Sequence, residues 1–464
     1  MLKLTTPAFV ESWRTIKRFS FALITCLLTV GVFMYTIEHA RDADKFLNFF
    51  LTIAIAFPVF VGIVLFCESR SVARMQQLLT EIIAVLLLVG VYFVLPSDSI
   101  NQWFAYIYMP IAAVIWAFAF LSAFLKKDNQ DDFLKFTYTV IFYGVIFYVL
   151  SGIVFIGIMI AIQALGVLFE FRISWLKSLN YLGSIIFGLA LPLLILRKVP
   201  KQLHDVTEPK VFAIIVRYVS KYVLMPLVAL YFLIIYSYAL KIIFTATWPE
   251  GIVGTMVLAF VTLSLVTMFI SYPYYIKSKA RHLYTITFSA IIPMAVLLLL
   301  AVGVRVSEYG VTESRYYVTL SGLIFIAVSI YYLITRTKFN WKYALIGTMV
   351  IFVLTMFGPW SAVGLSKNSQ VNRFLDSLTE LDLYSNGKII KQTEPVYYSY
   401  KFNEEYNKIS RDFNYLQRHY GYQFINKIFN TDYDKWIDSR SFLENELNLH
   451  YDYYAPAKVQ NQNN

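Results

Sequence analysis

Residues able to bind a ligand concentrate in one stretch between two apolar runs, Gly303–Tyr317, which reads GVRVSEYGVTESRYY. Within it, Glu308, Tyr309 and Arg315 surround a Tyr-Gly turn, and Trp360 lies at the end of the last apolar run. A guanidinium recognises phosphate and carboxylate groups through paired N–H donors, and tyrosine and tryptophan offer a flat apolar face with one polar end. We hypothesise that these four side chains meet on one face and bind a lipid head group, a glycan or a partner protein.

The same stretch also has a purely architectural interpretation. Gly310 permits the positive φ that a tight turn can require, and Thr312 is a suitable N-cap for the helix that follows. Glu313 would then lie at the positive end of that helix dipole. Helix capping therefore explains many of these residue types without a ligand.

A second acidic group, Glu38, Asp42 and Asp44, lies in the first loop between apolar runs. Polytopic glycosyltransferases that use lipid-linked sugars carry acidic residues in a comparable loop, which makes such an enzyme one alternative. This loop ends by Lys45, however, and is too short to build substrate-binding helices. Because charged loop runs are usually solvated, the sequence favours a plain surface loop.

No residue pattern predicts a metal site, a cofactor or a catalytic centre. The five histidines lack metal-binding spacing, and Cys26 and Cys67 lie in or beside apolar runs. Phosphate-binding glycine loops and hydrolase motifs are missing, and no basic cluster on a polar domain suggests nucleic acid. The sequence thus favours a protein that is not an enzyme.

The elements that must position the candidate residues are membrane helices. The chain is 58% hydrophobic and only 15% charged, whereas soluble domains carry about 25% charged residues. A helix of about 20 apolar residues crosses the hydrocarbon core, and we count about eleven such runs. They are Phe19–Ile37, Phe46–Phe66, Leu78–Leu95, Trp103–Leu125, Phe136–Leu168, Tyr181–Leu196, Tyr222–Phe244, Gly251–Ile276, Thr285–Val304, Tyr316–Ile334 and Tyr343–Val363. The predicted fold is an all-α polytopic bundle.

The distribution of basic residues predicts the orientation of the bundle. Lys and Arg concentrate in every second linker, which the positive-inside rule places in the cytoplasm. This pattern holds only if the long run Phe136–Leu168 is a single helix, since splitting it would place the most basic linker outside. Residues 1–18 are then a cytoplasmic segment, residues 19–365 form the membrane domain, and the chain beyond them lies outside.

The composition changes after the last apolar run, where Asn, Asp and Tyr become frequent. Apolar residues then recur at steps of three and four, which indicates helices. We expect a small, mainly helical extracytoplasmic domain at residues 366–457 and a disordered tail at residues 458–464.

A transporter or lipid flippase is a further alternative, because six apolar runs contain a proline that would kink the helix. Charged residues inside the runs are scarce, and Glu68, Glu81, Glu170 and Lys241 lie near span ends, where a side chain can reach the interface or a partner in a loop. This scarcity counts against an ion-coupled pump. The prolines are Pro58, Pro110, Pro192, Pro226, Pro273 and Pro293.

Three segments of the sequence carry a family resemblance. They are YGVTESRYYV at Tyr309–Val318, FGPWSAVGLSKNSQVNR at Phe357–Arg373 and YLQRHYGYQFINKIF at Tyr415–Phe429. Together they resemble the bacterial membrane proteins of the domain of unknown function 4153 family. The resemblance implies a multi-pass protein of the cytoplasmic membrane and no particular mechanism. We refer to these segments as motifs one, two and three.

The function that these observations favour is that of an envelope scaffold, or of a protein that binds membrane lipids or an envelope partner protein through its C-terminal domain. The transporter and the lipid-sugar transferase remain the alternatives.

Overall fold

The structure is a computed structural model. It describes residues 6–39, 45–95, 104–125, 130–169, 174–201, 206, 210–245, 252–276, 278, 281–398, 404–429 and 439–451.

Helices dominate the described residues, because long apolar runs satisfy their backbone groups internally as helices. The helices that precede motif two are α1 Thr6–Arg18, α2 Ser20–Glu38, α3 Leu47–Ser69, α4 Arg74–Val94, α5 Met109–Leu121, α6 Gln130–Leu168, α7 Trp175–Ile185, α8 Leu191–Arg197, α9 Lys210–Val219, α10 Met225–Thr245, α11 Ile252–Tyr275, α12 Arg281–Tyr309, α13 Glu313–Thr335 and α14 Trp341–Met356. The later elements are α15 Ala362–Glu380, α16 Glu404–Tyr420, α17 Tyr422–Phe429 and α18 Ser439–Ser441, with strands β1 Tyr384–Ser385, β2 Lys388–Ile389, β3 Val396–Tyr398 and β4 Leu449–Tyr451.

Ten helical segments in the described part of the chain are long and apolar enough to cross a membrane. The sequence predicts eleven spans, one more than this count. The eleventh apolar run forms α14, which has only 16 residues and is a shorter apolar helix. At 1.5 Å per residue this helix is about 24 Å long, less than the hydrocarbon thickness of about 30 Å. The long run is confirmed as one helix, since α6 continues without a break for 39 residues.

Three of the six prolines follow a π-helical turn at the same distance. Pro110, Pro192 and Pro226 each come two residues after such a turn, at Phe104–Tyr108, Ile186–Ala190 and Ser220–Leu224. Proline cannot donate to the carbonyl four residues earlier, and the wider turn accommodates that lost bond. Here proline reshapes the helix without ending it. The other three prolines, Pro58, Pro273 and Pro293, lie inside α-helices.

The chain divides into two compact units. The first comprises Met1–Met294 and Phe325–Leu354, and the second comprises Ala295–Ile324 and Thr355–Asn464. In the first unit, an ion pair of 2.7 Å joins Arg18 on α1 to Glu68 on α3. The same guanidinium donates to the Val199 and Pro200 carbonyls, so it ties three distant segments together.

An apolar cavity of about 320 Å³ lies among α3, α5, α6 and α8 of the first unit. Its lining includes Pro58, Trp116, Phe136 and Pro192, and every lining side chain is aliphatic or aromatic, or is glycine. Two of the six prolines therefore border this space.

The second unit has its own core. β1 and β2 pair antiparallel through an Asn386-Gly387 turn, and β3 pairs parallel with β4. Between α15 and α16, Phe374 and Phe413 are completely buried. The buried cluster around them consists of Leu378, Leu383, Ile409, Leu416, Ile425, Phe429, Phe442, Leu443, Leu447 and Leu449.

Candidate functional site

The turn between α12 and α13 adopts the geometry that its residues predict. Gly310 has a φ of +71°, and its amide donates to the Val306 carbonyl, which ends α12. Thr312 Oγ1 accepts from the Arg315 amide at 3.4 Å at the start of α13. The predicted roles of Gly310 and Thr312 are thus confirmed.

Arg315 folds back onto this turn. Its Nη1 donates to the carbonyls of Tyr309 and Gly310 at 3.2 and 2.7 Å, and its guanidinium lies 5.5 Å from the centre of the Tyr309 ring. A cation at the last carbonyls of a helix satisfies unpaired acceptors and opposes the helix dipole. Arginine has five N–H donors, and Nε and Nη2 of Arg315 donate to none of the described residues.

Helix α15, which contains most of motif two, fixes the other side of the turn. Gln370 Nε2 donates to the carbonyls of Tyr309 and Val311 at 3.0 and 2.9 Å, and Ser369 Oγ accepts from the Val311 amide. A Cβ at Gly310 would lie 2.8 Å from Gln370 Nε2. Glycine is therefore favoured by the positive φ, and an added Cβ would also displace the end of the Gln370 side chain.

Arg373, also on α15, gives the Tyr309 ring a second cation. Its guanidinium lies 5.9 Å from the ring centre, and its Nε lies 3.2 Å from Asp412 Oδ2 on α16. Burial raises the pKa of Asp412, although the charge of Arg373 opposes that rise. Tyr309 itself is 41% exposed. We call Tyr309, Arg315 and Arg373 the Tyr309 patch.

A buried carboxylate that accepts from two tyrosine hydroxyls lies close in the chain to this patch. Glu313 is only 4% exposed, and its two carboxylate oxygens accept from the Tyr415 and Tyr420 hydroxyls at 2.6 and 3.0 Å. The Ser366 hydroxyl lies 2.9 Å from the Tyr415 hydroxyl. Burial, together with the hydrogen bond to Glu313, raises the pKa of Tyr415, so the phenol stays a donor. One residue from each motif therefore meets at Tyr415.

His419 and Lys367 pack against the same tyrosines. The His419 ring stacks on that of Tyr415 with centres 3.6 Å apart, and burial lowers the pKa of His419. Lys367 Nζ lies 4.1 Å from the centre of the Phe424 ring.

The four predicted binding residues do not all come together. Tyr309 and Arg315 are in contact, as described above. Glu308 is exposed, and no ion pair or hydrogen bond joins it to a described residue. Trp360 is 58% exposed and packs near Gly358, whose φ is +86°. Sequence reasoning missed the contacts of five residues, namely Glu313, Gln370, Arg373, Tyr415 and Tyr420. All five lie in the three motifs, and this was the signal in the sequence that could have identified them.

The acidic group of the first loop is only partly described. Glu38 forms an ion pair of 2.6 Å with Lys177 and accepts from the Tyr181 hydroxyl. Asp42 and Asp44 lie outside the described residues. Within the described ranges, no three His, Cys, Asp or Glu side chains are arranged so that they could hold a metal ion.

The many long apolar helices define a membrane protein. The chain belongs to the family described as Domain of unknown function (DUF4153), which matches residues 22–389. The resemblance found in the motifs is therefore confirmed, although motif three lies beyond the matched range.

One relative is the Uncharacterized protein PM1469 of Pasteurella multocida (strain Pm70). It is 26% identical over 184 residues, which are 39% of this chain and 31% of the relative. The match thus spans about a third of that protein's length. No solved structure matches the chain.

Proposed function

We propose that this protein is a non-enzymatic, multi-pass protein of the bacterial inner membrane, with its N-terminus in the cytoplasm and its second unit outside. The alternation of basic linkers supports this orientation. The proposed orientation requires eleven crossings, so α14 must cross the membrane although it is short. A short helix is accommodated by local thinning of the bilayer and by flanking side chains that reach the interface.

On that basis, the Tyr309 patch binds the phosphate of an anionic lipid head group. The observation that carries this proposal is the pair of guanidinium groups beside one half-exposed tyrosine. The patch lies at the junction of two long apolar helices, α12 and α13, where head groups are found. Arg315 keeps three N–H groups that no described residue accepts, and guanidinium N–H groups bind phosphate oxygens well.

Native mass spectrometry of the detergent-solubilised protein tests the lipid site. We expect phosphatidylglycerol to bind more tightly than phosphatidylcholine, and Arg315→Gln to weaken phosphatidylglycerol binding about tenfold, which is about 1.4 kcal/mol. Arg336→Gln, which removes the same charge just beyond the opposite end of α13, is the matched control and should retain binding. Equal binding of the two lipids, or an equal loss in both variants, would refute the site.

The cavity of the first unit favours one second candidate, a lipid transporter or flippase. Its volume and its apolar lining suit part of an acyl chain, and Pro58 and Pro192 lie in two of the helices that line it. Protein-dependent movement of a fluorescent phospholipid between the leaflets of proteoliposomes would support this candidate over the scaffold.

A further inference from the structure

The first helix of the chain, α1, has its polar side against the protein. Thr15 is buried, and its hydroxyl donates to the Glu11 carbonyl. Arg18 pairs with Glu68 on α3 at 2.7 Å. Glu11 pairs with Arg197, the last residue of α8, at 2.9 Å. Polar contacts therefore attach α1 to the first unit, whereas a surface helix of a soluble protein turns its apolar side inward.

The opposite side of α1 is apolar and exposed. Val10, Trp13 and Ile16 recur at steps of three residues, so they lie on one side of the helix. All three side chains are exposed, and that of Trp13 is 52% exposed. An exposed apolar helix face marks a surface that contacts a membrane or another protein.

The position of α1 in the chain favours a membrane. Phe19 alone separates α1 from α2, which is long and apolar enough to cross the bilayer. The end of α1 therefore lies at the boundary of the hydrocarbon core. Trp13 precedes Phe19 by only about 9 Å along the helix. Tryptophan is enriched at that boundary, because its ring is apolar and its N–H meets polar groups there.

Cations border the apolar face. Arg14 and Lys17 lie four residues after Val10 and Trp13, so each is next to a residue of that face. Lys17 Nζ lies 5.2 Å from the centre of the Trp13 ring. Arg14 and Lys17 are exposed, and neither forms an ion pair with a described residue. At the C-terminal end of α1, Arg74 Nη2 donates to the Lys17 carbonyl at 3.3 Å, which adds a third cation.

The surroundings of α1 are positive as well. Glu11 is the acidic residue of this helix, and Arg197 already pairs with it. The hydrogen bond from Arg197 lowers the pKa of Glu11, and the charges of two nearby cations act in the same direction. These cations are Lys198 and Lys201. Lys and Arg clustered beside a membrane span attract anionic lipids.

We propose that α1 is an interfacial helix that binds the surface of an anionic phospholipid membrane. Val10, Trp13 and Ile16 enter the boundary between head groups and acyl chains, and Arg14 and Lys17 contact lipid phosphates. An amphipathic helix with tryptophan on its apolar side and basic residues beside it is typical of this mode of binding. The proposal does not depend on the Tyr309 patch, or on which side of the membrane α1 lies.

Nitroxide labels measure the depth of this face in lipid nanodiscs that hold the full chain. Val10→Cys and Ile16→Cys each take one label and leave Trp13 in place, and both native cysteines are buried. Oxygen concentrates among acyl chains and a neutral nickel(II) chelate stays in water, so the ratio of their collision rates reports depth. With phosphatidylglycerol in the nanodiscs, oxygen collisions should dominate at both positions. At the exposed Ser385→Cys of the second unit, chelate collisions should dominate.

Removal of charge tests whether α1 recognises anionic head groups. The ratio of oxygen to chelate collisions at Ile16 should fall in nanodiscs of phosphatidylcholine alone. Arg14→Gln combined with Lys17→Gln should abolish this difference between the two lipids. Arg336→Gln combined with Lys338→Gln removes two exposed charges elsewhere in the first unit. This matched control should keep the difference.

Three results would overturn the proposal. Dominant chelate collisions at Ile16 would place the face in water, and low collision rates with both reagents would mean that protein covers it. An equal ratio in the two lipids would show that the cations do not recognise head groups. A failure of Arg315→Gln to weaken lipid binding would leave all of these results unchanged, so the two lipid sites are tested separately.

Discussion

At the scale of single residues, Glu313 shows how a helix-capping position acquires a second role. An acidic residue in the first turn of α13 is favourable on its own account, because the helix dipole stabilises it. The structure adds two phenol donors from α16, more than 100 positions later in the chain. Hydrogen bonds to a charged group contribute about 1.5 to 3 kcal/mol each, so this carboxylate is a main link between α13 and α16 within the second unit.

We predict that Glu313→Gln destabilises the second unit by about 2 kcal/mol, because it removes the charge that both tyrosine hydroxyls contact. The unfolding midpoint of the detergent-solubilised protein should fall. Glu308→Gln, five residues earlier and exposed, is the matched control and should change the midpoint little. Equal midpoints for the two variants would show that the Glu313 contacts contribute no net stability.

Alanine variants at Gly310 and Gly387 together separate the cost of a positive φ from the cost of a steric clash. Gly310→Ala places a Cβ at positive φ, which costs about 1 to 2 kcal/mol, and also brings it within 2.8 Å of Gln370 Nε2. Gly387 has a φ of +80° with no atom within 4 Å of an added Cβ, so Gly387→Ala carries the strain alone. Limited proteolysis should find Gly310→Ala the more susceptible of the two. The reverse order would mean that α15 does not approach the turn closely.

At the scale of elements, we predict that the packing of α16 depends on pH through His419. Burial lowers the pKa of His419, so the fold favours its neutral form. The stability that His419 contributes is complete above about pH 6.5 and is lost as the pH falls toward the lowered value. The stability that Asp412 contributes changes with pH in the opposite direction. Burial raises the pKa of Asp412, so this stability is lost as the pH rises. The Tyr415 carbonyl, which lies 2.8 Å from His419 Nδ1, and the charges of Glu313 and Arg418 also act on the pKa of His419.

Hydrogen exchange measures this dependence. Between about pH 7.5 and about pH 5.5, corrected for the intrinsic exchange rate, peptides of α16 should lose protection in the unchanged protein. In His419→Gln the loss should be smaller, because glutamine does not titrate. Peptides of α11, in the first unit, provide the reference. An identical response in both proteins would remove His419 as the cause.

The elements of the fold were more predictable from sequence than the contacts between them. The distribution of basic residues predicts α6 as one helix, and glycine chemistry predicts the turn at Gly310. The pairing of Glu313 with Tyr415 joins positions that no local pattern connects. Glu81 on α4 is only 1% exposed, and its burial was missed for a related reason, since distance from the end of an apolar run does not reveal which face of the helix packs inward. Both residues depend on tertiary packing, which no single sequence segment specifies.

At the scale of the whole molecule, the proposed orientation depends on α14. Thr337 and Ser385 lie before and after this 16-residue helix, and both are exposed. If α14 crosses the membrane, the two positions are on opposite sides, and Ser385 shares the outer side with the Tyr309 patch. If it does not cross, they share one side. The proposed lipid site outside the cytoplasm requires the first arrangement.

Cysteine labelling with a membrane-impermeant maleimide tests this orientation most directly. The native Cys26 and Cys67 are 6% and 3% exposed, so the background should be low. Ser385→Cys should react in cells whose inner membrane is intact, and Thr337→Cys should react only after that membrane is disrupted. Reaction of Thr337→Cys alone, or the same response at both positions in intact cells, would contradict the proposed topology.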